Sequence, residues 1–451
     1  MGVGAVAEPL VVVSLLVGGT LVNRERRDPS SREPKPWGWT KRSDSPGSLE
    51  GSSGSSTPTT QTDDALMNSR QRTPLSDFQV QEQVQGWRRR SVGLLGRGGQ
   101  VCSPDTKQFE DRLLSRVLRR LPFLVEVWYW ALIYWVYQLG RAFTTITLVE
   151  GTVDIARKHA LQVIHLEQKL GLFAEVPIQQ YIMQYPNPMH WINRIYSFIH
   201  IPGTILFLIW LYYTTITCNR LASREPIRGT RTNVTGSPAG PALYQARRRT
   251  MAMCNLIAFV IFTTWPCMPP RLLSDPIFSG PEASEAKSYK FVDTVHGASG
   301  ESSVWTQNKF CNQYAAMPSL HFGYSLLIGL TIVTIPLAPQ QRRSTTVRIG
   351  CLALRLPSLK RMICITLGAV YPTIILLAIV ATANHFILDA VAGAFVCGLA
   401  WKANRFLLNF CPLEDCFLWC LRIHKPSIDV VDVLEGGDWD EKAVAKGVLP
   451  K

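Results

Sequence analysis

The chain has 451 residues, a length that suits roughly two or three soluble domains or one multi-span membrane domain. Its formal net charge is +14, but arginine and lysine cluster at the ends of apolar blocks and not along one polar surface. This distribution is typical of membrane topology and argues against nucleic acid as a partner. The 11 cysteines contain no C-x-x-C pair, so the sequence predicts neither a zinc knuckle nor a redox motif.

The N-terminal part divides into an apolar run and a long polar segment. Residues 9–22 are apolar and are followed by a cluster of arginines, which predicts a hydrophobic anchor over residues 1–22 or, because the run is short for a span, a helix at the membrane interface. Residues 23–110 are rich in serine, glycine, proline, glutamine and arginine, with no sustained apolar period. We expect a disordered tether there.

Six longer apolar blocks follow, each of about the length that crosses ~30 Å of hydrocarbon as a helix. Because helices satisfy their own backbone hydrogen bonds in lipid, we predict an all-α, polytopic membrane helical bundle with six core transmembrane helices within residues 111–410. Residues 411–451 are predicted to form a cytosolic tail, in which Cys411, Cys416 and Cys420 are either acylated at a membrane surface or unmodified. The blocks cover approximately 121–148, 189–214, 251–273, 317–337, 363–383 and 385–408.

The charges of the connecting loops predict the orientation. Loops 215–250 and 338–362 are strongly basic, whereas loops 150–188 and 274–312 carry more acidic than basic residues. The positive-inside rule therefore predicts the first pair in the cytosol and the second pair in the lumen or exterior.

Three short motifs are predicted to meet at the lumenal ends of the spans. Arg271 follows two prolines at the exit of the third core span, the segment 317–321 (MPSLH) begins the fourth, and the segment 384–389 (NHFILD) begins the sixth. This convergence of distant segments is the main reason to expect a functional site.

His385 and Asp389 are four residues apart, so on a helix they share a face, and Asp389 can accept a hydrogen bond from one imidazole nitrogen. That bond fixes the tautomer and leaves the other nitrogen as a nucleophile. The alternative is a pair that only ties a helix end together. Gly393 lies one turn further on and would let a neighbouring helix approach closely.

Pro318 is a favoured first helical residue, so the fourth span is predicted to start there with free N–H groups. Helix N-termini bind phosphate, and the Ser319 hydroxyl can add a hydrogen bond. His321 is placed to protonate a leaving oxygen, and Arg271 offers a forked cationic donor. The alternative for each of these side chains is a purely structural role, in which it only satisfies polar groups at the membrane interface.

Together these motifs resemble the type 2 phosphatidic acid phosphatase superfamily, and more closely its inositolphosphotransferase branch, which includes fungal inositol phosphorylceramide synthases. The resemblance covers roughly 125–405. It rests on CNQYAAMPSLHFGYSLLIG (311–329), TANHFILDAVAG (382–393) and PPRLL (269–273), with weaker agreement in HLEQKLGLF (165–173) and WINRIYSFIH (191–200).

The resemblance implies a metal-independent reaction without a cofactor, on a membrane lipid as substrate. His385 attacks phosphorus, His321 protonates the departing group, and Asp389 orients His385. The phosphate is then held by Arg271, Ser319 and Asn384. It also implies an integral, multi-pass protein of the Golgi or ER, with the active site on the lumenal or exoplasmic face.

The chain departs from the phosphatase pattern at three positions. Leu320 replaces a glycine, and Thr264 and Ile379 replace two phosphate-binding cations, which favours the inositolphosphotransferase branch. Arg141, near the lumenal end of the first core span, is the predicted substitute, or else it forms a buried pair with Asp154 or Glu167. His200 either lines the pocket or packs within its span.

Two other classes of function stay open at this level. A non-catalytic lipid transporter or scramblase would keep the helical scaffold, although transport needs no nucleophile. A haem-binding electron carrier would use paired histidines as ligands, but that role does not call for Ser319 and Arg271.

Overall fold

The structure is a computed structural model that describes residues 4–25, 86–94, 97–146, 151–222, 237–295, 313–338, 341, 345–349 and 352–426. Within these ranges the chain is mostly helical. The helices are α1 (Gly4–Val22), α2 (Leu113–Arg120), α3 (Phe123–Ile146), α4 (Thr152–Leu170), α5 (Glu175–Met183), α6 (Pro186–Ala222), α7 (Gly240–Thr264), α8 (Pro281–Ser288), α9 (Leu320–Thr334), α10 (Leu359–Ala381), α11 (Ile387–Ala403) and α12 (Cys411–Leu421). Short 3₁₀ turns occupy Thr106–Phe109, Pro270–Leu272 and Asn404–Phe410.

Three helical segments are long and apolar enough to cross a membrane: Pro186–Ala222, Leu359–Ala381 and Ile387–Leu421. Ala7–Val22 and Leu320–Thr334 are apolar but shorter. Each of the six predicted blocks contains a helix, and three of them meet these criteria. The six-span core stays a prediction for the other three.

Two antiparallel hairpins correct the all-α prediction. Strands β1 (Trp87–Leu94) and β2 (Arg97–Pro104) pair with each other, as do β3 (Thr345–Ile349) and β4 (Leu352–Leu356). The first hairpin lies within the predicted tether, and its described strand residues contact the C-terminal part of the described chain. Polar contacts with residues more than 300 positions away hold it, and such contacts leave no local apolar period.

Glycine contacts bring the central helices close together around α9. A Cβ on Gly329 would overlap the carbonyl oxygen of Gly368 on α10. A Cβ on Gly393 of α11 would overlap the carbonyl oxygen of Ser319. The close approach predicted at Gly393 is therefore confirmed, and small residues let the backbones of α9, α10 and α11 touch.

Backbone hydrogen bonds gather the three motifs at one end of the bundle. The Ser319 N–H donates to the Asp389 carbonyl over 2.9 Å, and the Arg271 N–H donates to the Ala383 carbonyl over 2.8 Å. The segment before α9 is also tied to the end of α7, because the Ala316 N–H donates to the Cys267 carbonyl over 3.1 Å. Segments that are far apart in the sequence thus meet at one end of the bundle.

Candidate active site

His385 lies just before α11, and a backbone carbonyl that was not predicted holds its ring. Its Nδ1 is 2.7 Å from the Ala316 carbonyl oxygen and 3.4 Å from Oδ2 of Asp389. A carbonyl can only accept, so in the neutral ring Nδ1 carries the proton and Nε2 has the lone pair. The free nitrogen expected of a nucleophile is present, but the closer partner of Nδ1 is a backbone carbonyl and not Asp389.

Asp389 is fully buried, and its carboxylate also accepts a hydrogen bond from the backbone. Its Oδ2 accepts a hydrogen bond from the Phe386 N–H over 2.9 Å, at the start of α11. The helix begins at Ile387, so His385 and Asp389 do not lie on one helical face as predicted. The Asp389 carboxylate caps the helix and lies beside the imidazole at the same time, because capping turns the side chain back toward the helix start.

His321 is the second residue of α9, and its ring faces His385. The two ring centroids are 5.6 Å apart. His321 also contacts the rings of Tyr196 and His200, with centroid distances of 4.8 and 5.2 Å. His200 is buried beside His321, and its Nδ1 is 3.0 Å from the Tyr371 hydroxyl. The described residues therefore place His200 in the wall behind His321.

Ser319 is the N-cap of α9, and Pro318 lies before the helix. The Ser319 hydroxyl accepts a hydrogen bond from the Phe322 N–H over 3.4 Å, and α9 begins at Leu320. The prediction that Pro318 is the first helical residue is wrong, because serine is a strong N-cap and the capping residue itself lies outside the helix. The serine is completely buried, in contact with α11.

Arg271 is held in place by two side chains. Its Nε donates to Oδ1 of Asn384 over 3.0 Å, and its Nη1 donates to Oδ2 of Asp293 over 2.7 Å. The Asn384 amide donates in turn to the Thr382 hydroxyl over 2.8 Å. Asn384 thus fixes the direction of the guanidinium, and its predicted contact with substrate stays a prediction.

Arg141 lies on α3, but its side chain is outside the described part of the structure. The two carboxylates proposed as its alternative partners have other contacts. Asp154 pairs with Arg157 over 3.0 Å, and Glu167 accepts from the Leu388 N–H over 2.8 Å.

Two buried glutamates behind the site were not predicted. Glu175 accepts from the Ile387 N–H over 2.8 Å, so Glu167 and Glu175 cap consecutive N–H groups of α11. Both side chains are fully buried, and burial together with the neighbouring Glu175 raises the pKa of Glu167 to about 9. Glu167 lies in HLEQKLGLF (165–173), but its role depends on a contact more than 200 residues away, which a single sequence does not show.

Cys267, just after the end of α7, is completely buried. Among the residues that the structure describes, no group of three or more His, Cys, Asp and Glu side chains could hold a metal ion.

A family model described as the PAP2 superfamily matches residues 238–356 and 346–403 of the chain. The matched segments contain Arg271, Ser319, His321, His385 and Asp389, whereas Glu167 and Glu175 lie before them. No curated protein and no solved structure matches the chain. The part of the chain that carries these motifs is thus similar to the PAP2 superfamily.

Proposed function

We propose that this chain is an integral membrane phosphotransferase or phosphatase that acts on phosphorylated lipids through a phosphohistidine intermediate. The observation that carries the proposal is the fixed His385 ring, whose Nε2 keeps a lone pair while its Nδ1 donates to Ala316 over 2.7 Å. The match to the PAP2 superfamily supports the reaction class.

In the first step, Nε2 of His385 attacks phosphorus and forms a P–N bond. The P–O bond to the departing group breaks, and that oxygen takes a proton from His321. In the second step an acceptor hydroxyl attacks phosphorus, gives its proton to His321, and releases His385. Proton transfer of this kind typically contributes about 10²–10⁴-fold to the rate.

Arg271 supplies positive charge to the phosphate, and the Asn384 and Asp293 contacts fix its direction. Because Nε and Nη1 are already engaged, Nη2 and the open side of the fork are left for a phosphate oxygen. The Asp389 carboxylate stabilises the imidazolium-like charge that His385 acquires during attack.

The low number of cationic side chains in the candidate phosphate site favours a phosphodiester over a phosphomonoester as the donor substrate. The two cations of the phosphatase pattern are replaced by Thr264, whose hydroxyl donates to its own helix over 2.9 Å, and by Ile379, which is fully buried. A phosphomonoester carries about −1.5 to −2 charges at neutral pH, whereas a diester carries one. We therefore propose transfer of a phosphorylated head group to an alcohol, as in the inositolphosphotransferase branch, on the lumenal face of an endomembrane.

A lipid panel with the purified full chain tests this proposal. The panel contains phosphatidic acid as a monoester and phosphatidylinositol as a diester, each with and without a lipid alcohol acceptor. Head-group transfer from the diester is expected for the wild type and for His424→Ala, which alters a histidine bonded to Thr106 near α12. It is expected to be lost in His385→Ala.

The possible outcomes test the enzyme class, the inositolphosphotransferase branch and the phosphohistidine mechanism separately. Hydrolysis of phosphatidic acid alone would keep the enzyme class and reject the inositolphosphotransferase branch. Equal activity in the wild type and His385→Ala would reject the phosphohistidine mechanism. If neither protein has activity, but the wild type moves fluorescent lipids between leaflets of vesicles, the transporter or scramblase alternative is correct.

A further inference from the structure

Helix α12 presents an exposed apolar stripe that contains two thiols. Leu413, Phe417 and Leu421 are 64%, 47% and 47% exposed, and Cys416 and Cys420 are exposed between them. The spacing i, i+3, i+4, i+7, i+8 places all five side chains on one helical face. Such a stripe is unfavourable in water and fits an apolar surface.

The opposite face of α12 is fixed to the rest of the protein. Arg90 of β1 donates from two nitrogens to the Asp415 carboxylate over 2.9 and 3.0 Å, and Ser103 of β2 donates to the same group over 2.6 Å. Glu414, next to Asp415 in the sequence, accepts a hydrogen bond from Lys425 over 2.7 Å. The hairpin therefore holds α12 by its polar face and leaves the stripe outward.

The position of α12 directly after α11 indicates which surface the apolar stripe contacts. Helix α11 has 17 residues, which at 1.5 Å per residue gives about 26 Å, close to the ~30 Å of hydrocarbon. Lys402 and Arg405 then follow at its end, so α12 begins just beyond the hydrocarbon boundary. Phe417 also stacks on Trp128 of α3, with centroids 6.2 Å apart, and Trp128 is itself 50% exposed. The stripe is thus continuous with an aromatic side chain of the kind that lies at membrane interfaces.

We propose that α12 lies on the cytosolic leaflet and that Cys416 and Cys420 are S-acylation sites for long-chain fatty acids. The orientation follows from the basic loops at this end of the bundle. Thiols on amphipathic helices beside a membrane span are the usual acceptors of this modification. The proposal does not depend on the proposed phosphotransferase reaction.

The reaction is an exchange of thioesters with an acyl-coenzyme A donor. The cysteine sulfur attacks the acyl carbonyl carbon, a new S–C bond forms, and the S–C bond to coenzyme A breaks. Coenzyme A leaves as its thiol and takes the proton of the cysteine. Cys411 is half-buried, on the side of the helix away from the stripe, and is not a site.

The test is acyl exchange on the full-length protein from cells, in which hydroxylamine cleaves thioesters and the freed thiols are captured with biotin. Strong hydroxylamine-dependent labelling is expected for the wild type. Labelling falls to about half in Cys416→Ser or Cys420→Ser if the two exposed thiols react alike, and it is lost in the double variant. Cys102→Ser is the matched control, because Cys102 is exposed on β2 but neighbours Ser103 and points to the opposite face of the hairpin from α12.

Two results would overturn the proposal: no hydroxylamine-dependent label in the wild type, or undiminished label in the double variant. A second measurement uses only the wild-type protein, so its result does not depend on whether a cysteine variant folds. Maleimide applied to wild-type membranes before hydroxylamine treatment should leave Cys416 and Cys420 unmodified in peptide mass spectra, and maleimide applied afterwards should modify both. His385→Ala should label like the wild type, so that failure of the phosphotransferase proposal leaves this test intact.

Discussion

The carboxylates of Glu167 and Glu175 accept hydrogen bonds from two consecutive backbone N–H groups, those of Leu388 and Ile387, over 2.8 Å each. With Asp389 on the Phe386 N–H, they satisfy three of the N–H groups that a helix start leaves unpaired. Oε2 of Glu167 is buried with no hydrogen-bond partner in the described part of the structure, and the Glu175 carboxyl is close enough to raise the pKa of Glu167. Two buried carboxylates in contact cannot both be charged at low cost, so the pair shares one proton.

We expect Glu167→Gln to be tolerated and Glu167→Ala to be damaging. A glutamine keeps an oxygen for the Leu388 N–H and supplies the donor that the shared proton provides. An alanine leaves that N–H buried without a partner, at a cost of about 1–3 kcal/mol, and adds a cavity. Thermal unfolding of the detergent-solubilised chain measures both variants, with the exposed Glu285→Gln as control. Equal destabilisation by glutamine and alanine would contradict the shared proton.

The same pair predicts how stability depends on pH. The pKa of Glu167 is raised from 4.5 to about 9 in the folded chain, so between these values the folded state holds a proton that the unfolded state has lost. The stabilisation is complete below the unfolded pKa and is lost as pH rises through the folded pKa. The unfolding temperature of the wild type should fall more than that of Glu167→Gln between pH 5 and about 9. Parallel curves for the two proteins would refute this assignment.

The local signals were sufficient for the helices of the apolar blocks and for the convergence of the motifs, but not for the two hairpins or for the hydrogen-bond partners in the site. Apolar length predicted a helix in each block, and the loop charges and motif positions predicted that Ser319 and Asp389 would meet. The start of α9 was misplaced because proline and serine are both favoured near a helix start. The Ala316 carbonyl beside His385 could not be predicted, because every residue carries a carbonyl and only the folded backbone selects one.

That carbonyl leads to a prediction for Asp389. In Asp389→Asn, the side-chain oxygen can still accept from the Phe386 N–H, and Ala316 still holds Nδ1 of His385. The loss is then confined to the negative charge beside the ring, so kcat should fall by less than about 10²-fold, whereas His385→Ala removes the nucleophile altogether. Steady-state kinetics on the preferred lipid compare the two. A loss in Asp389→Asn as complete as that in His385→Ala would show that Ala316 alone does not orient the ring.

Arg271→Lys should raise KM more than it lowers kcat. The guanidinium contacts Asn384 and Asp293 with two different nitrogens and still has a third for phosphate, but a lysine ammonium has no such planar fork. We expect a rise in KM of about tenfold, which corresponds to about 1.4 kcal/mol of lost binding. Arg422→Lys, at the exposed end of α12, is the control. An unchanged KM in Arg271→Lys would remove Arg271 from the phosphate-binding set.

Gly393→Ala and Gly398→Ala form a matched pair on one helix. A Cβ at Gly393 would overlap the Ser319 carbonyl oxygen, whereas a Cβ at Gly398 would meet nothing within 4 Å. The first substitution forces α9 and α11 apart where Ser319 bonds to Asp389, and overpacking of this kind costs about 1–3 kcal/mol. The second removes a helical glycine and should be neutral or stabilising by up to about 1 kcal/mol. Unfolding temperature and lipid turnover, measured together, should both fall in Gly393→Ala and stay unchanged or rise in Gly398→Ala. Equal behaviour of the two variants would mean that the approach of α9 to α11 does not hold the catalytic residues in place.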